Sequence, residues 1–184
     1  MEEQEVPTEH LHEHAEHAAQ HSGERWTLGV ALSSALLAAL AAVASLQAGH
    51  HANEAMVCQI KASDNWSFYQ AKSIKESQLK GKMDIFVALD KPVNEADKKK
   101  AEEYATTKET ISEEAKKLQE EAGHELTTHQ IFAKSVTLFQ IAISIGAIAA
   151  LTKRRRFWFV SLACGAVGLF FFVQAFLFAA GHCR

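Results

Sequence analysis

The chain has 184 residues, 48% of them apolar, and a formal net charge of −3. With its near-zero mean hydropathy it reads on average as one modest soluble domain. Three cysteines, Cys58, Cys164 and Cys183, exclude a fully paired disulfide framework and carry no metal-type spacing. The average conceals the pattern: between its charges the chain holds three long uncharged runs, 26–53, 135–152 and 157–183. Each is close to or above the roughly 18–20 residues that cross a bilayer's hydrocarbon core. Residues 1–25 carry seven acids and one Arg, and residues 49–131 carry fifteen acids and twelve Lys. The soluble-looking mean is therefore three apolar spans diluted by two very polar segments.

The first polar segment, 1–25, contains "TEHLHEHAEHAAQH", which holds five of the ten histidines. On a helix His10, His14, His17 and His21 fall on one stripe at steps of four, three and four, with Glu9, Glu13 and Glu16 on the neighbouring stripe and His12 off it. Neutral imidazoles at i and i+4 can chelate a divalent transition metal, the one cofactor class the sequence suggests. The alternative is a solvated polar extension, because a short isolated helix is marginal in water and tails of biased composition are common.

Residues 26–49 form the first expected span. The acidic stretch before it is the wrong sign for a secretory leader, so the span is expected to be retained. Ser34, Ala38 and Ala42, and also Ala41, Ser45 and Gly49, repeat every four residues, the small-residue pattern that lets membrane helices approach closely.

Residues 50–131 are the only sizeable polar part between spans. Pro92, in "LDKPVNEAD", biases the residue before it away from helix, and Asn94 is placed to cap the next helix. A turn at 90–93 leaves 37 residues on each side, 53–89 and 94–130. Equal arms predict an antiparallel helical hairpin, each arm about 55 Å long. The second arm carries a coiled-coil-like stripe of Ala101, Tyr104, Ile111, Ala115, Leu118 and Ala122, with Lys108 in the one missing position. The first arm is less regular, with Ile60, Trp66, Tyr69, Ala71 and Ile74 as its apolar positions. Such a thin seam predicts self-association, against the alternative of a monomer that frays at Gly81. Beside the turn, "MDIFVALD" places Ile85, Phe86, Val87 and Leu89 where they either bind a protein partner or another copy, or close the hairpin against Val93, Ala96 and Ala101.

Within this segment, "NEAMVCQIKASDNWSFYQAKSIKE" has Ala62, Ser63, Asp64, Trp66 and then Tyr69, Gln70, Ala71, Lys72, Ser73, Ile74 and Lys75. That run resembles the core of a family of bacterial membrane proteins catalogued as domain of unknown function 4337. The resemblance extends from about span one to span three and leaves out the His-rich tail. It implies a bacterial inner-membrane protein and carries over no activity and no catalytic residue.

Residues 132–152 form the second span, with Lys134 able to snorkel at its start. Gln140 lies near its middle, and Gln174 lies in the third span, 157–181; both are expected to hydrogen-bond between helices. Only "KRRR", residues 153–156, separates the two spans. By the positive-inside rule this short basic loop lies in the cytoplasm. The tail is then cytoplasmic as well, while the middle segment and residues 182–184 lie outside. Pairing residues across the turn sets His129 near Glu54 and Ala55, and His124 near Ile60. His50, His51, Glu54, Cys58, His129, His182 and Cys183 could then share one ring at the outer face, holding a Cys58–Cys183 disulfide or a weak metal site, or serving as boundary residues only.

No phosphate-binding Gly-rich loop, nucleophile elbow, CxxC pair or HExxH is present. The expectation is an all-α membrane protein: three transmembrane helices with a long antiparallel helical hairpin between spans one and two. It is expected to be non-enzymatic, embedded in the lipid bilayer, homo-oligomeric and without nucleic-acid partners, and to act as a structural or adaptor protein. The alternatives are a metal- or pH-responsive membrane protein using the tail, and an oligomeric pore lined by Gln140.

Overall fold

The apolar runs and the polar arms lack helix-breaking residues over long distances, and the computed structural model, which describes residues 25–182, is accordingly built from three long helices. They are α1 (Arg25–Ala88), α2 (Glu95–Thr152) and α3 (Arg155–His182). Among the described residues there is no strand. All three contain stretches long and apolar enough to cross a membrane. Two compact units result, one of Met1–Ala52 with Leu126–Arg184 and one of Asn53–Glu125.

In the first unit α1 buries Val30, Ser34, Ala41, Ala44 and Ala48. This inward stripe differs from the four-residue repeats read in the sequence. Ala42, Ser45 and Gly49 are exposed, and nothing stands within 4 Å of a Cβ built on Gly49. A helix packed along its length presents positions three and four apart, and a strict four-residue step drifts off that face. Close approach occurs instead on the partner helices. A Cβ on Gly146 would stand 3.0 Å from Ser34 Oγ, and one on Gly168 would stand 2.9 Å from Phe139 Cδ1. An alanine at Gly168 would force a shift at Phe139, and one at Gly146 would require Ser34 to give by a few tenths of an ångström. The chain reverses between α2 and α3 through Lys153, which has φ 51°, and Phe157 N–H donates to Arg154 O at 3.2 Å as α3 begins.

The second unit pairs residues 53–88 with 95–125. Its inward positions on α2 include Ala101, Ile111, Ala115 and Ala122, all buried, with Tyr104, Lys108 and Leu118 half-buried. On α1 Ala55, Ala62 and Glu76 are buried and Tyr69, Lys72, Leu79, Met83 and Phe86 half-buried. Of the apolar positions on the first arm's thin seam, Ile60 and Ile74 are 55% and 59% exposed, and Ala71 is exposed too. The three-and-four spacing of the inward face passes through Lys72 and Glu76, so hydrophobicity alone does not reveal it.

Contacts link Tyr104 to Lys72, Lys108 to Tyr69 and Glu76, and Asp97 to Lys82. Elsewhere in the chain, in the first unit, His129 meets the carbonyl of Ala48 rather than Glu54 or Ala55, about two turns from the expected register. Within the second unit Tyr104 meets Lys72 and Asp97 meets Lys82, where equal arms pair them with 80 and 87, and the connection accounts for that offset. Residues 91–94 are not helical, and extended residues advance about 3.3 Å each against about 1.5 Å in a helix. A few of them therefore travel the length of two helical turns.

Candidate functional site

The end of α1 is fixed by local chemistry. Asp90 adopts a left-handed conformation at φ 52°, tolerable for Asp because its short polar side chain bonds locally. Lys91 N–H then donates to Phe86 O at 2.9 Å and Asp90 N–H to Val87 O at 3.1 Å, the paired bonds of a Schellman ending. Pro92 comes next and cannot continue the helix. Asn94 Oδ1 accepts the Ala96 N–H at 2.9 Å, capping α2, and Glu95 and Asp97 occupy its positive first turn. Lys82 donates to Asp97 at 2.6 Å across the connection.

This well-ended connection displays three of the four apolar residues singled out in the sequence. Ile85, Val87 and Leu89 are 61%, 63% and 59% exposed. Phe86 is half-buried, with the Lys82 ammonium 5.9 Å from its ring centre. Ala96 is exposed and Val93 half-buried, so the four residues do not form a closed cap against 93–101.

Deeper in the second unit stands a charged cluster that pattern reading missed. Glu76 is only 5% exposed and accepts from Lys80 Nζ at 2.6 Å and Lys108 Nζ at 2.7 Å. The Lys108 ammonium also stands 5.5 Å from the Tyr69 ring, and Lys72 stands 4.9 Å from that of Tyr104, cation–π geometry. Hydrogen bonds from Lys108, and then from Lys80, hold the Glu76 carboxyl below its ordinary range against the effect of burial. The same carboxylate holds Lys108 above its ordinary value. A signal was available, since Lys108 was the one charged residue in an otherwise apolar stripe and required an opposite charge facing it.

In the first unit, hydrogen bonds between helices come from Ser161 Oγ to Ala142 O at 2.6 Å and from Trp158 Nε1 to Ser33 Oγ at 3.3 Å. Gln140 and Gln174 do not supply them. Gln174 is exposed and Gln140 half-buried, because the inward positions of α3 are Ser161, Gly165, Gly168 and Ala175 and residue 174 lies off that stripe. His129 Nδ1 lies 2.8 Å from Ala48 O; a carbonyl only accepts, so Nδ1 carries the proton and donates. His51 stacks on Phe132 at 5.6 Å, and Phe132 meets Phe176 edge-on at 5.1 Å. These rings fill the same end of the bundle as His129.

Among the described residues no three His, Cys, Asp or Glu side chains come together to hold a metal ion. His10, His14, His17 and His21 lie outside the described residues, as does Cys183, so the tail site and the Cys58–Cys183 pairing fall beyond them. Cys58 is a free, half-buried thiol. Burial pushes it up, with Glu121, Glu54 and Glu125 adding to the effect and Lys61 opposing it.

The model of the family described as "Domain of unknown function (DUF4337)" matches residues 26–178. The chain belongs to this family. The match begins at the first residue of the first apolar run and ends within α3, so the His-rich tail lies outside it, as the resemblance implied. No curated protein and no solved structure matches the chain. Membership in DUF4337 thus supplies a boundary for the family's common part and assigns no residue a role.

Proposed function

We propose that this DUF4337 protein is a non-enzymatic structural or adaptor protein of the bacterial inner membrane, anchored by three spans. In this reading the N-terminus and the 153–156 loop are cytoplasmic. Residues 50–131 form an antiparallel, coiled-coil-like helical hairpin outside the membrane, and the protein assembles with copies of itself.

The observation that carries the adaptor reading is the exposure of Ile85, Val87 and Leu89 beside a connection fixed by its own Schellman ending and Asn94 cap. Large apolar side chains kept in water at a helix end are what an interaction site uses. Membrane anchoring is supported by the outward face of α3, where Phe159, Phe170, Val173 and Leu177 are 62%, 65%, 49% and 69% exposed. A face of that composition suits hydrocarbon and not water. Self-association is supported by Gln174, whose exposed amide would otherwise stand unpaired among lipid chains, and a second copy supplies a partner for it.

The test is the mass of the purified full-length protein in detergent, with Val87→Asp and Gln174→Leu as variants. The reading expects an oligomer that at least one of the two substitutions weakens. A monomeric parent, with both variants unchanged in mass, would sink it.

A further inference from the structure

On the first unit an open groove of about 500 Å³ runs along α2, with Phe171 of α3 as its far wall. One end is polar, formed by His129, Gln130 and Lys134, and the remainder is lined by Ala133, Leu138 and Phe171. Thr137 also lines it, and its hydroxyl donates to Ala133 O at 2.9 Å, which leaves its methyl as the free face. His129 is held by its bond to Ala48, so its Nε2 is the ring nitrogen left over.

The electrostatics of the groove are one-sided. Lys134 is the only charged residue from 126 to 152, and no Asp or Glu occurs in residues 26–53 or 126–184. Lys134 is exposed and has no ion-pair partner among the described residues. Eighteen residues separate it from Thr152, about 27 Å of helix, close to the roughly 30 Å thickness of a hydrocarbon core. In the membrane reading proposed above, on which this inference rests, Lys134 therefore sits at the interface opposite the basic 153–156 loop. From there the apolar part of the groove runs toward the bilayer centre.

We propose that this groove is a binding site for an anionic phospholipid, with the headgroup phosphate on Lys134 beside His129 and Gln130 and an acyl chain along Ala133, Leu138 and Phe171. An unpaired ammonium at the membrane interface attracts anionic headgroups. A lipid phosphate is the anion that arrives there with a chain attached. A free phosphate would meet the ammonium and leave the apolar length of the groove empty.

The test starts with alkaline carbonate extraction of membranes carrying the full chain, which separates failure of the membrane reading from failure of the site. If the protein is released, both fall. If it is retained, the purified protein is offered equal phosphatidylglycerol and phosphatidylcholine of matched chains, and retained lipid is counted by native mass spectrometry. The basic loop also attracts anionic lipid, so the readout is the change caused by substitution at position 134. Lys134→Gln is expected to lower the phosphatidylglycerol preference by about fivefold, the factor for one lysine near a charged surface. Lys134→Arg retains the preference, and Ala133→Trp, which fills the groove, lowers it. Circular dichroism checks that each variant is folded. A preference unchanged by both Lys134→Gln and Ala133→Trp overturns the proposal, as does displacement of the lipid by glycerol phosphate alone.

Discussion

Gly168→Ala sets two opposed effects against each other. In a helix interior alanine is favoured over glycine by about 1 kcal/mol. At this position, however, the new methyl would stand 2.9 and 3.0 Å from Phe139 Cδ1 and Cε1 and 3.2 Å from Leu138 Cβ. Phe139 is fully buried and packed against Phe172 with ring centres 6.2 Å apart, and a Cβ moves only with its backbone. The clash therefore meets groups that cannot step aside, and overpacking of this kind costs about 1–3 kcal/mol. The cost equals or exceeds the gain, and the net loss expected is up to about 2 kcal/mol. For a chain of this size that is a fall of up to about 8 °C in Tm, at about 2–4 °C per kcal/mol. Gly81→Ala is the matched control, since nothing lies within 4 Å of its Cβ, and it should gain stability. The assay is thermal unfolding of both variants in one detergent, followed by tryptophan fluorescence. If Gly168→Ala gains stability as Gly81→Ala does, the close contact between α2 and α3 is not as described.

The charged and titrating groups give three further outcomes. Glu76 is held below and Lys108 above its ordinary value, so the pair stabilises the second unit fully between the unfolded pKa values, from about 4.3 to about 10.4. That contribution fades as pH falls through the folded carboxyl's lowered pKa, and again as pH rises past the raised lysine. Urea midpoints measured from pH 7 to 3 should fall more steeply in the parent than in Glu76→Gln, and parallel curves would contradict the pairing. Because burial and then Glu121 raise the Cys58 thiol, its reaction with a maleimide at neutral pH should be slower than that of a free cysteine. Glu121→Gln should accelerate it, and a rate equal to the free thiol's would refute the assignment. A peptide of residues 1–25 titrated with zinc by calorimetry should bind more tightly than about 1 mM; the absence of heat at that level would leave the tail as a polar extension.

Much of the architecture was legible because it rests on strong, local signals. Uncharged runs of membrane-crossing length coincide with apolar stretches of α1, α2 and α3, and Pro92 with Asn94 marked the one break in the polar segment. The inward face of α2 was readable from Ala101 to Ala122 because small and apolar residues hold nearly every position. On α1 the same spacing passes through Lys72 and Glu76, which hydrophobicity counts as outside, so Ile60 and Ile74 were misplaced inward. The register was also out of reach, since it depends on the rise of non-helical residues 91–94. Gln140 and Gln174 were expected to tie helices together because they are polar in apolar surroundings. Burial depends on rotation about the helix axis, and residue 174 lies off the packed stripe. The groove beside Lys134 brings α2 and α3 together and has no signature in either segment alone.

The account depends most on the side of the membrane that residues 50–131 occupy. The decisive measurement is labelling with a membrane-impermeant maleimide in cells whose outer membrane has been permeabilised, at about pH 9 to offset the raised thiol of Cys58. One chain keeps Cys58 alone, through Cys164→Ala and Cys183→Ala, and a cysteine-free chain carries Arg155→Cys in the basic loop. The account predicts labelling of Cys58 in intact inner membranes and of position 155 only after lysis. The reverse pattern, or Cys58 reached only after lysis, would contradict it.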